Sequence, residues 1–104
     1  MNDSQYHQLA DELLESLQDT VDEIEFDLDY ESAGGIVEII FPNGSKIIVN
    51  KQAPLHQIWV ATKFNGHHFE YKDGLWIDNR TGVELYELLN EAGSKQAGET
   101  ISFN

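Results

Sequence analysis

Three dipeptides that favour tight turns divide the middle of this chain: Asn43-Gly44, Asn65-Gly66 and Asp73-Gly74. Each lies between segments rich in β-branched or aromatic residues, an arrangement typical of β-hairpins with two-residue turns. A strand-like alternation also starts at Glu25. The pattern predicts one strand after that point and five more near residues 36–41, 45–50, 57–64, 67–72 and 75–78. Because each turn joins consecutive strands, we expect an antiparallel meander.

An amphipathic helix is predicted before the strands. Apolar residues from Tyr6 to Ile24 recur with helical spacing and would form one face of a helix running from about residue 4 to about residue 23. Suitable N-cap residues, whose side-chain oxygens accept hydrogen bonds from free amides of the first turn, are Asn2, Asp3 and Ser4.

A second helix is predicted after the strands. The run Thr81-Gly82-Val83-Glu84 matches a capping box, and an apolar stripe of helical spacing follows it. Glycine favours helix C-termini, so the helix should end near Gly93 or Gly98. The stripe consists of Leu85, Leu88, Leu89 and Ala92.

These elements predict an α+β fold in the order α-β-β-β-β-β-β-α. Two amphipathic helices flanking one sheet should pack side by side on one face of it, which gives a two-layer α/β sandwich. The chain has 104 residues and 40% hydrophobic content, enough for one packed core. We therefore expect a single domain spanning residues 1–104.

Charge is distributed unevenly along the chain. The first 45 residues contain twelve Asp and Glu residues and no Lys or Arg, whereas the other 59 contain seven acids and six bases. The formal net charge of −13 argues against nucleic-acid binding, because phosphate contacts need a basic surface. The chain has no cysteine, which excludes disulfides and thiolate metal sites. Without a signal-like N-terminus or a long apolar run, a cytoplasmic protein with no membrane segment is expected.

Most of the early acids share one face of the predicted first helix. Acids four residues apart, such as Asp11 and Glu15, repel each other by about 0.2–0.5 kcal/mol per pair. The surface is either a solvated face that aids solubility or a binding surface for cations or a basic partner, which would relieve the repulsion. We call Asp11, Glu12, Glu15, Asp19, Asp22 and Glu23 the acidic face.

Carboxylates without thiolates favour hard or borderline cations such as Ca²⁺, Mg²⁺, Mn²⁺ and iron, and an imidazole favours the transition metals. His7 lies near Asp3 and Asp11 in the sequence and could supply that imidazole. Exposed carboxylates on a helix cannot enclose an ion, so we expect weak, partly hydrated sites. A hydrolase with paired carboxylates is disfavoured, because such a dyad needs a concave and partly desolvated site.

The Asn65-Gly66 turn predicts the register of its hairpin. A two-residue turn would place Phe64 opposite His67 and Trp59 opposite Lys72. Trp59 would then be exposed on the solvent face, as an interface anchor or as a cation–π partner of Lys72. His67 and His68 should face opposite sides of their strand, each as a polar surface residue.

Several segments resemble the frataxin family, and the resemblance extends over essentially the whole chain. The first four and the last few residues resemble bacterial members of that family. The matching features are the acidic first helix, the run Asn43-Gly44-Ser45-Lys46, the run Asn50-Lys51-Gln52, Pro54, the run Gln57-Ile58-Trp59, the closing helix, and the terminal runs Met1-Asn2-Asp3-Ser4 and Gln96-Ala97-Gly98-Glu99-Thr100.

The resemblance implies a non-enzymatic, iron-binding regulator of iron–sulfur cluster assembly that acts on a cysteine desulfurase and its scaffold protein. Weakly bound Fe²⁺ or Fe³⁺ would lie on the first helix and the edge of the next strand. We call these residues the acidic ridge: Asp3, His7, Asp19, Asp22, Glu23, Asp27 and Asp29. Partner contacts are implied for the acidic face, whose acids meet basic desulfurase residues, and for a sheet surface made of Asn50, Gln52, Trp59 and His68.

Other interpretations of the acidic surface remain open. The chain could be an acidic protein-interaction module, or a nucleic-acid mimic that occupies a basic protein without any role for metal. A mimic would bind its partner with strong salt dependence and would be indifferent to iron. A monomer is expected. The sequence leaves open whether iron drives oligomers and whether regulation inhibits or activates.

Overall fold

The computed structural model describes residues 1–104 and contains two helices and one six-stranded sheet. All strand pairs are antiparallel, and the strands lie in sequence order, as in a meander. The predicted α-β-β-β-β-β-β-α order is confirmed. The elements are α1 (Asp3–Glu23), β1 (Asp29–Ala33), β2 (Ile36–Ile40), β3 (Lys46–Gln52), a short 3-10 turn (Ala53–Leu55), β4 (Gln57–Ala61), β5 (Gly66–Lys72), β6 (Leu75–Asp78) and α2 (Leu85–Ala97).

Helix α1 begins with a full capping box. The Asn2 side chain accepts a hydrogen bond from the Gln5 amide, and the Gln5 side chain accepts one from the Asn2 amide. These two bonds satisfy amides that would otherwise lack a partner in the first turn. The predicted apolar face is buried, and the Tyr6 hydroxyl donates a 2.7 Å hydrogen bond to the Gln57 carbonyl. This bond joins the start of α1 to β4.

The core lies between the helices and one face of the sheet. Alternate residues of the central strands point into it and are fully buried, while their neighbours face the other way. Both helices supply buried residues to this same cluster, so the predicted two-layer arrangement is confirmed. Neither helix is long and apolar enough to cross a membrane. The buried strand residues on the helix side of the sheet are Val37, Ile39, Ile47, Val49, Ile58, Val60, Phe69, Trp76 and Asp78.

The hairpin turns agree with the prediction at one position and differ at another. Asp73 and Gly74 both have positive φ, and Lys72 pairs with Leu75, so this is the expected two-residue turn. At Asn43-Gly44 the connection is longer, because the Gly44 amide donates to the Phe41 carbonyl and only Gly44 adopts positive φ. A further two-residue turn at Gly34-Gly35, with φ of 56° and 84°, was not predicted.

The register predicted for the β4–β5 hairpin is wrong. Residues 62–65 form the connection, and Gly66 is already in β5 opposite Ala61. The Thr62 hydroxyl oxygen accepts from the amides of Phe64 and Asn65 and stabilises a wider loop. Trp59 therefore lies opposite His68 and not opposite Lys72.

Two predicted element starts are also corrected. Strand β1 begins at Asp29, whereas a strand-like pattern was expected from Glu25. The capping box at Thr81 is wrong: Glu84 is the N-cap of α2, and its carboxylate accepts from the amides of Tyr86 and Glu87. Thr81 lies in the preceding turn, where its hydroxyl accepts from Val83. Helix α2 ends at Ala97 with Gly98 as its C-cap, the second of the two predicted positions.

Candidate functional site

All seven residues of the acidic ridge have exposed side chains, as do all six residues of the acidic face. Helix α1 packs against β1 and β2, so its outward carboxylates lie beside the edge strand of the sheet. The loop from α1 to β1 carries Asp27, and Asp29 begins the strand. The fold therefore presents the C-terminal half of α1 and the start of β1 as one anionic surface.

The phenol of Tyr30 lies near several of these carboxylates. The negative charge of Asp22 raises the pKa of the Tyr30 phenol above its ordinary value, with further contributions from burial, from a hydrogen bond with Asp22 and from the charges of Asp19 and Asp29. Ionising this phenol would add a negative charge beside carboxylates that already repel one another. Asp19, Asp22 and Asp29 of the ridge therefore lie close enough to Tyr30 to affect it, and sequence reasoning had not singled out this tyrosine.

The N-terminal end of the ridge has a different environment. Asp3 Oδ1 lies 2.6 Å from Nε2 of His56, and the hydrogen bond from this imidazole lowers the pKa of the Asp3 carboxyl. The His56 ring stacks on Tyr6, with ring centroids 5.1 Å apart. The ring of His7 also packs against Tyr6, in an edge-on arrangement. His56 was missed because it is 53 positions from Asp3 in the sequence.

One carboxylate of the acidic face has a cationic partner. Lys51 Nζ lies 2.6 Å from Asp11 Oδ1, and no other lysine or arginine pairs with a carboxylate of α1. Glu12 contacts only the amide of Gln8, at 3.4 Å. The remaining acids of the face are free of cationic partners and available to a ligand.

The arrangement determines which metals could bind. No three His, Asp or Glu side chains of the protein are placed to hold an ion together. The ridge donors are carboxylates and one imidazole, all facing solvent, which suits a hard or borderline cation that keeps part of its water shell. Iron fits this donor set as a weakly bound, hydrated ion.

The proposed partner residues of the sheet lie on the face opposite the helices. Asn50 pairs with Trp59, and Trp59 pairs with His68, so the three are side by side on adjacent strands. The Trp59 and His68 rings are stacked with centroids 4.2 Å apart and planes 11° apart. The alternative of a cation–π pair between Trp59 and Lys72 is therefore excluded. Gln52, at the end of β3, pairs with Gln57 on the same face.

A chain of hydrogen bonds holds Trp59 in place. Its indole Nε1 donates to Gln57 Oε1 at 2.8 Å, and Gln57 Nε2 donates to Glu70 Oε2 at 3.0 Å. Trp59 is half-buried, less exposed than expected. A fixed aromatic ring surrounded by polar groups is the kind of anchor that protein interfaces use.

The two neighbouring histidines of β5 do face opposite sides, as predicted. His68 is exposed on the solvent face, but His67 is not a surface residue. Its side chain is 17% exposed, and its Nδ1 lies 2.7 Å from the buried carboxylate of Asp78. Sequence reasoning missed this pair because the two residues come from adjacent strands on the helix side of the sheet.

Comparison with known proteins agrees with this geometry. A family model described as a frataxin-like domain matches residues 1–99. A protein of Pseudoalteromonas atlantica named iron-sulfur cluster assembly protein CyaY is 66% identical over 103 residues, or 99% of this chain and 95% of the relative. The structure of frataxin from Psychromonas ingrahamii is 44% identical, with a TM-score of 0.91, and covers 100% of this chain and 99% of that one.

A more distant structure extends the similarity to eukaryotes. Trimeric frataxin from Saccharomyces cerevisiae, described as complexed with ferrous, is 25% identical with a TM-score of 0.69, covering 95% of this chain and 88% of that one. The match to the family model extends over nearly the whole sequence, and the bacterial relatives share its full length. The chain belongs to the frataxin family.

Proposed function

We propose that this protein is a cytoplasmic, non-catalytic regulator of iron–sulfur cluster assembly that binds Fe²⁺ or Fe³⁺ weakly on its acidic ridge. The observation that carries the proposal is the exposed, uncompensated group of carboxylates at Asp19, Asp22 and Glu23, next to Asp27 and Asp29. Two comparisons support it: the relative from P. atlantica is named as an iron-sulfur cluster assembly protein, and the yeast frataxin structure is described as a ferrous complex.

The same carboxylates would dock on a basic partner, which we propose is the cysteine desulfurase of the assembly complex. Like-charge repulsion within the acidic face and the negative end of the α1 dipole both disfavour the free state of this surface. A basic partner surface would relieve both the like-charge repulsion and the unfavourable dipole interaction. It would also speed association by electrostatic attraction, so binding should weaken steeply as the salt concentration rises. Iron and the desulfurase would then act on overlapping residues and influence each other's binding.

The sheet surface would contact the scaffold protein. Trp59 is held by Gln57 and stacked on His68, so little side-chain freedom would be lost when a partner covers it. Asn50 and Gln52 add amide groups on the neighbouring strand. We propose that the protein works as a monomer on this complex, with any oligomer formed in response to iron.

A charge-reversal experiment tests the ridge. The variant with Asp19, Asp22 and Glu23 replaced by lysine should lose most of its Fe²⁺ binding and its desulfurase binding while keeping the fold, because all three side chains are exposed. The measurement is an anaerobic Fe²⁺ titration monitored by two-dimensional NMR. A second titration, with purified desulfurase in place of Fe²⁺, is monitored in the same way.

A matched control separates the ridge from net charge alone. Replacing Asp73, Glu87 and Glu99 by lysine makes the same change in net charge at exposed positions outside the acidic face and the acidic ridge. This control should bind Fe²⁺ and the desulfurase with near wild-type affinity. Unchanged iron and desulfurase binding in the ridge variant would refute the proposal. Loss of desulfurase binding with no Fe²⁺ response in the wild type would favour an acidic interaction module without a metal role.

A further inference from the structure

Two of the turn-forming dipeptides of this chain are Asn-Gly pairs, and the proposed function uses neither of them. Glycine has no Cβ, so its backbone nitrogen can approach the side chain of a preceding asparagine without steric hindrance. Asparagine followed by glycine is therefore the form most readily converted to aspartate or isoaspartate, a reaction that makes asparagine thermolabile. The rate in a folded protein depends on how the fold holds the two reacting groups, the side-chain amide and the next backbone nitrogen.

At Asn43-Gly44 both reacting groups are held. The Asn43 side-chain amide donates a 2.8 Å hydrogen bond to the Gln96 carbonyl. The side-chain oxygen of Asn43 accepts from the amide and the hydroxyl of Ser45 at 2.9 and 2.7 Å. The Gly44 nitrogen donates to the Phe41 carbonyl at 2.9 Å. A reaction between the two groups must first break these bonds, although Asn43 itself is exposed.

At Asn65-Gly66 both reacting groups are free. Asn65 is exposed, and it hydrogen-bonds only through its backbone, which contacts Thr62. The bond from the Thr62 amide to the Asn65 carbonyl makes Ala61 and Gly66 a non-hydrogen-bonded pair, so the Gly66 amide points away from β4. On its other side, the pairing of β5 with β6 begins only at Phe69, and no loop carbonyl accepts from Gly66.

We propose that Asn65 is a site of spontaneous deamidation, and that its modification loosens the hairpin that presents Trp59. The Gly66 nitrogen gives its proton to solvent and attacks Cγ of Asn65. The N–Cγ bond forms, the Cγ–Nδ2 bond breaks, and the leaving nitrogen takes up a proton from solvent and departs as ammonia. Water then opens the resulting succinimide ring, at Cγ to give aspartate or at the backbone carbonyl carbon to give isoaspartate. Water is the only co-reactant, and no oxidation or reduction takes place.

The modification changes both the length and the charge of the β4–β5 loop. Isoaspartate carries the main chain through Cβ, which lengthens the connection and disrupts the hydrogen bonds that Thr62 makes to the backbone of residue 65. Both products add one negative charge to a chain whose formal net charge is −13. Trp59 and His68 lie opposite each other two ladder positions from the pair of Ala61 and Gly66, so the change reaches the sheet surface.

The test follows both Asn-Gly pairs in the same folded protein, incubated at mildly alkaline pH. Peptide mapping by mass spectrometry measures the conversion of each asparagine, and enzymatic methylation detects isoaspartate. Conversion at Asn65 should be at least about tenfold faster than at Asn43, because reaction at Asn43 must first lose hydrogen bonds. In urea-unfolded protein the two rates should become similar. The proposal needs neither iron nor a partner, so it can fail independently of the proposed function.

Gly66→Ala provides the matched variant. The added Cβ would meet open space, so the fold should be retained, while hindered attack should slow conversion at Asn65 by at least about tenfold. Conversion at Asn43 should not change. The indole NMR signal of Trp59 should shift in the modified fraction of aged wild type and should stay in place in aged Gly66→Ala.

Faster conversion at Asn65 in the folded protein, similar rates in urea and a shifted Trp59 signal support the proposal. Equal rates at the two pairs in the folded protein, or faster conversion at Asn43, overturn it. A rate difference that persists in urea also overturns it, because the fold would not be the cause. An unchanged Trp59 signal in the modified fraction overturns the effect on the hairpin. If Gly66→Ala does not fold, the comparison of Asn65 with Asn43 in folded and unfolded wild type still decides the site.

Discussion

The ammonium nitrogen of Lys51 lies 2.6 Å from a carboxylate oxygen of Asp11 and joins β3 to the first half of α1. The two partners differ in solvation, since the Lys51 side chain is 15% exposed and that of Asp11 is 64% exposed. The stem of Lys51 also runs past Gly35, where an added Cβ would lie 3.4 Å from it. Asp11 thus has a structural contact that its neighbours on the acidic face lack.

This difference predicts unequal effects of two substitutions that remove the same charge. Asp11→Ala should lower the free energy of unfolding by about 1 kcal/mol relative to Glu12→Ala, because it leaves a mostly buried ammonium without its partner. Urea unfolding at low salt measures both variants. Equal stabilities would show that the Lys51 contact contributes nothing beyond the charge itself.

Tyr30 offers a direct measurement of the field at the acidic ridge. The Asp22 charge raises the pKa of the Tyr30 phenol, so Asp22→Asn should move the phenol titration to lower pH. Ultraviolet absorbance of phenolate, with Tyr30→Phe to assign the transition, is the measurement. Glu87→Gln removes a charge from α2 and should leave the titration in place. No movement in Asp22→Asn would mean that Tyr30 does not approach the ridge carboxylates.

The face of each sheet residue could be predicted even where the register was wrong. Moving the partner of Trp59 from Lys72 to His68 is a shift of four positions, and an even shift returns every side chain to the same face. Trp59 therefore lies on the predicted face of the sheet, and His67 and His68 face opposite sides as predicted. The register itself depended on Thr62. Its hydroxyl oxygen accepts hydrogen bonds from two loop amides, and these bonds stabilise the wider loop over the two-residue turn that Asn65-Gly66 favours.

The acidic face of α1 followed from helical periodicity, and the acidic ridge was implied by the family resemblance, but the partners of these residues followed from neither. A spacing of 3.6 residues is enough to place exposed carboxylates on one face of α1. The contacts of Asp3 with His56 and of Asp11 with Lys51 join residues 53 and 40 positions apart, and they depend on how the strands are arranged. The His67 and Asp78 pair likewise required the register of β5 and β6.

Gly93 of α2 allows close contact with the C-terminal segment. A Cβ at this position would lie 2.7 Å from a ring carbon of Phe103, which is buried, and 3.3 Å from the buried Ile101. Gly93→Ala should therefore displace the segment and lower the free energy of unfolding by about 1–3 kcal/mol, although alanine favours helices. Thermal unfolding is the measurement, and Gly66→Ala, with open space around its Cβ, is the control. A gain in stability would mean that the segment packs elsewhere.

Asp78 should give this protein a specific acid sensitivity. Its folded-state pKa is below the ordinary value of 3.8, so the folded state holds the carboxylate in preference to the acid. The stabilisation is therefore complete above about pH 3.8 and is lost as the pH falls through the lower folded-state pKa. Asp78→Asn should lower the free energy of unfolding at pH 7 by about 1–3 kcal/mol, because the buried donors around it lose a charged acceptor.

The difference in the free energy of unfolding between wild type and Asp78→Asn should then shrink as the pH is lowered below 3.8, because protonation of Asp78 removes the stabilisation that its charge provides. Urea unfolding between pH 3 and 7 follows both proteins, and the other carboxylates titrate equally in each. Asp73→Asn, at an exposed turn position, should follow the wild-type curve at every pH. A stability gap that stays constant down to pH 3 would show that the Asp78 charge is not what anchors His67 and the turn before α2.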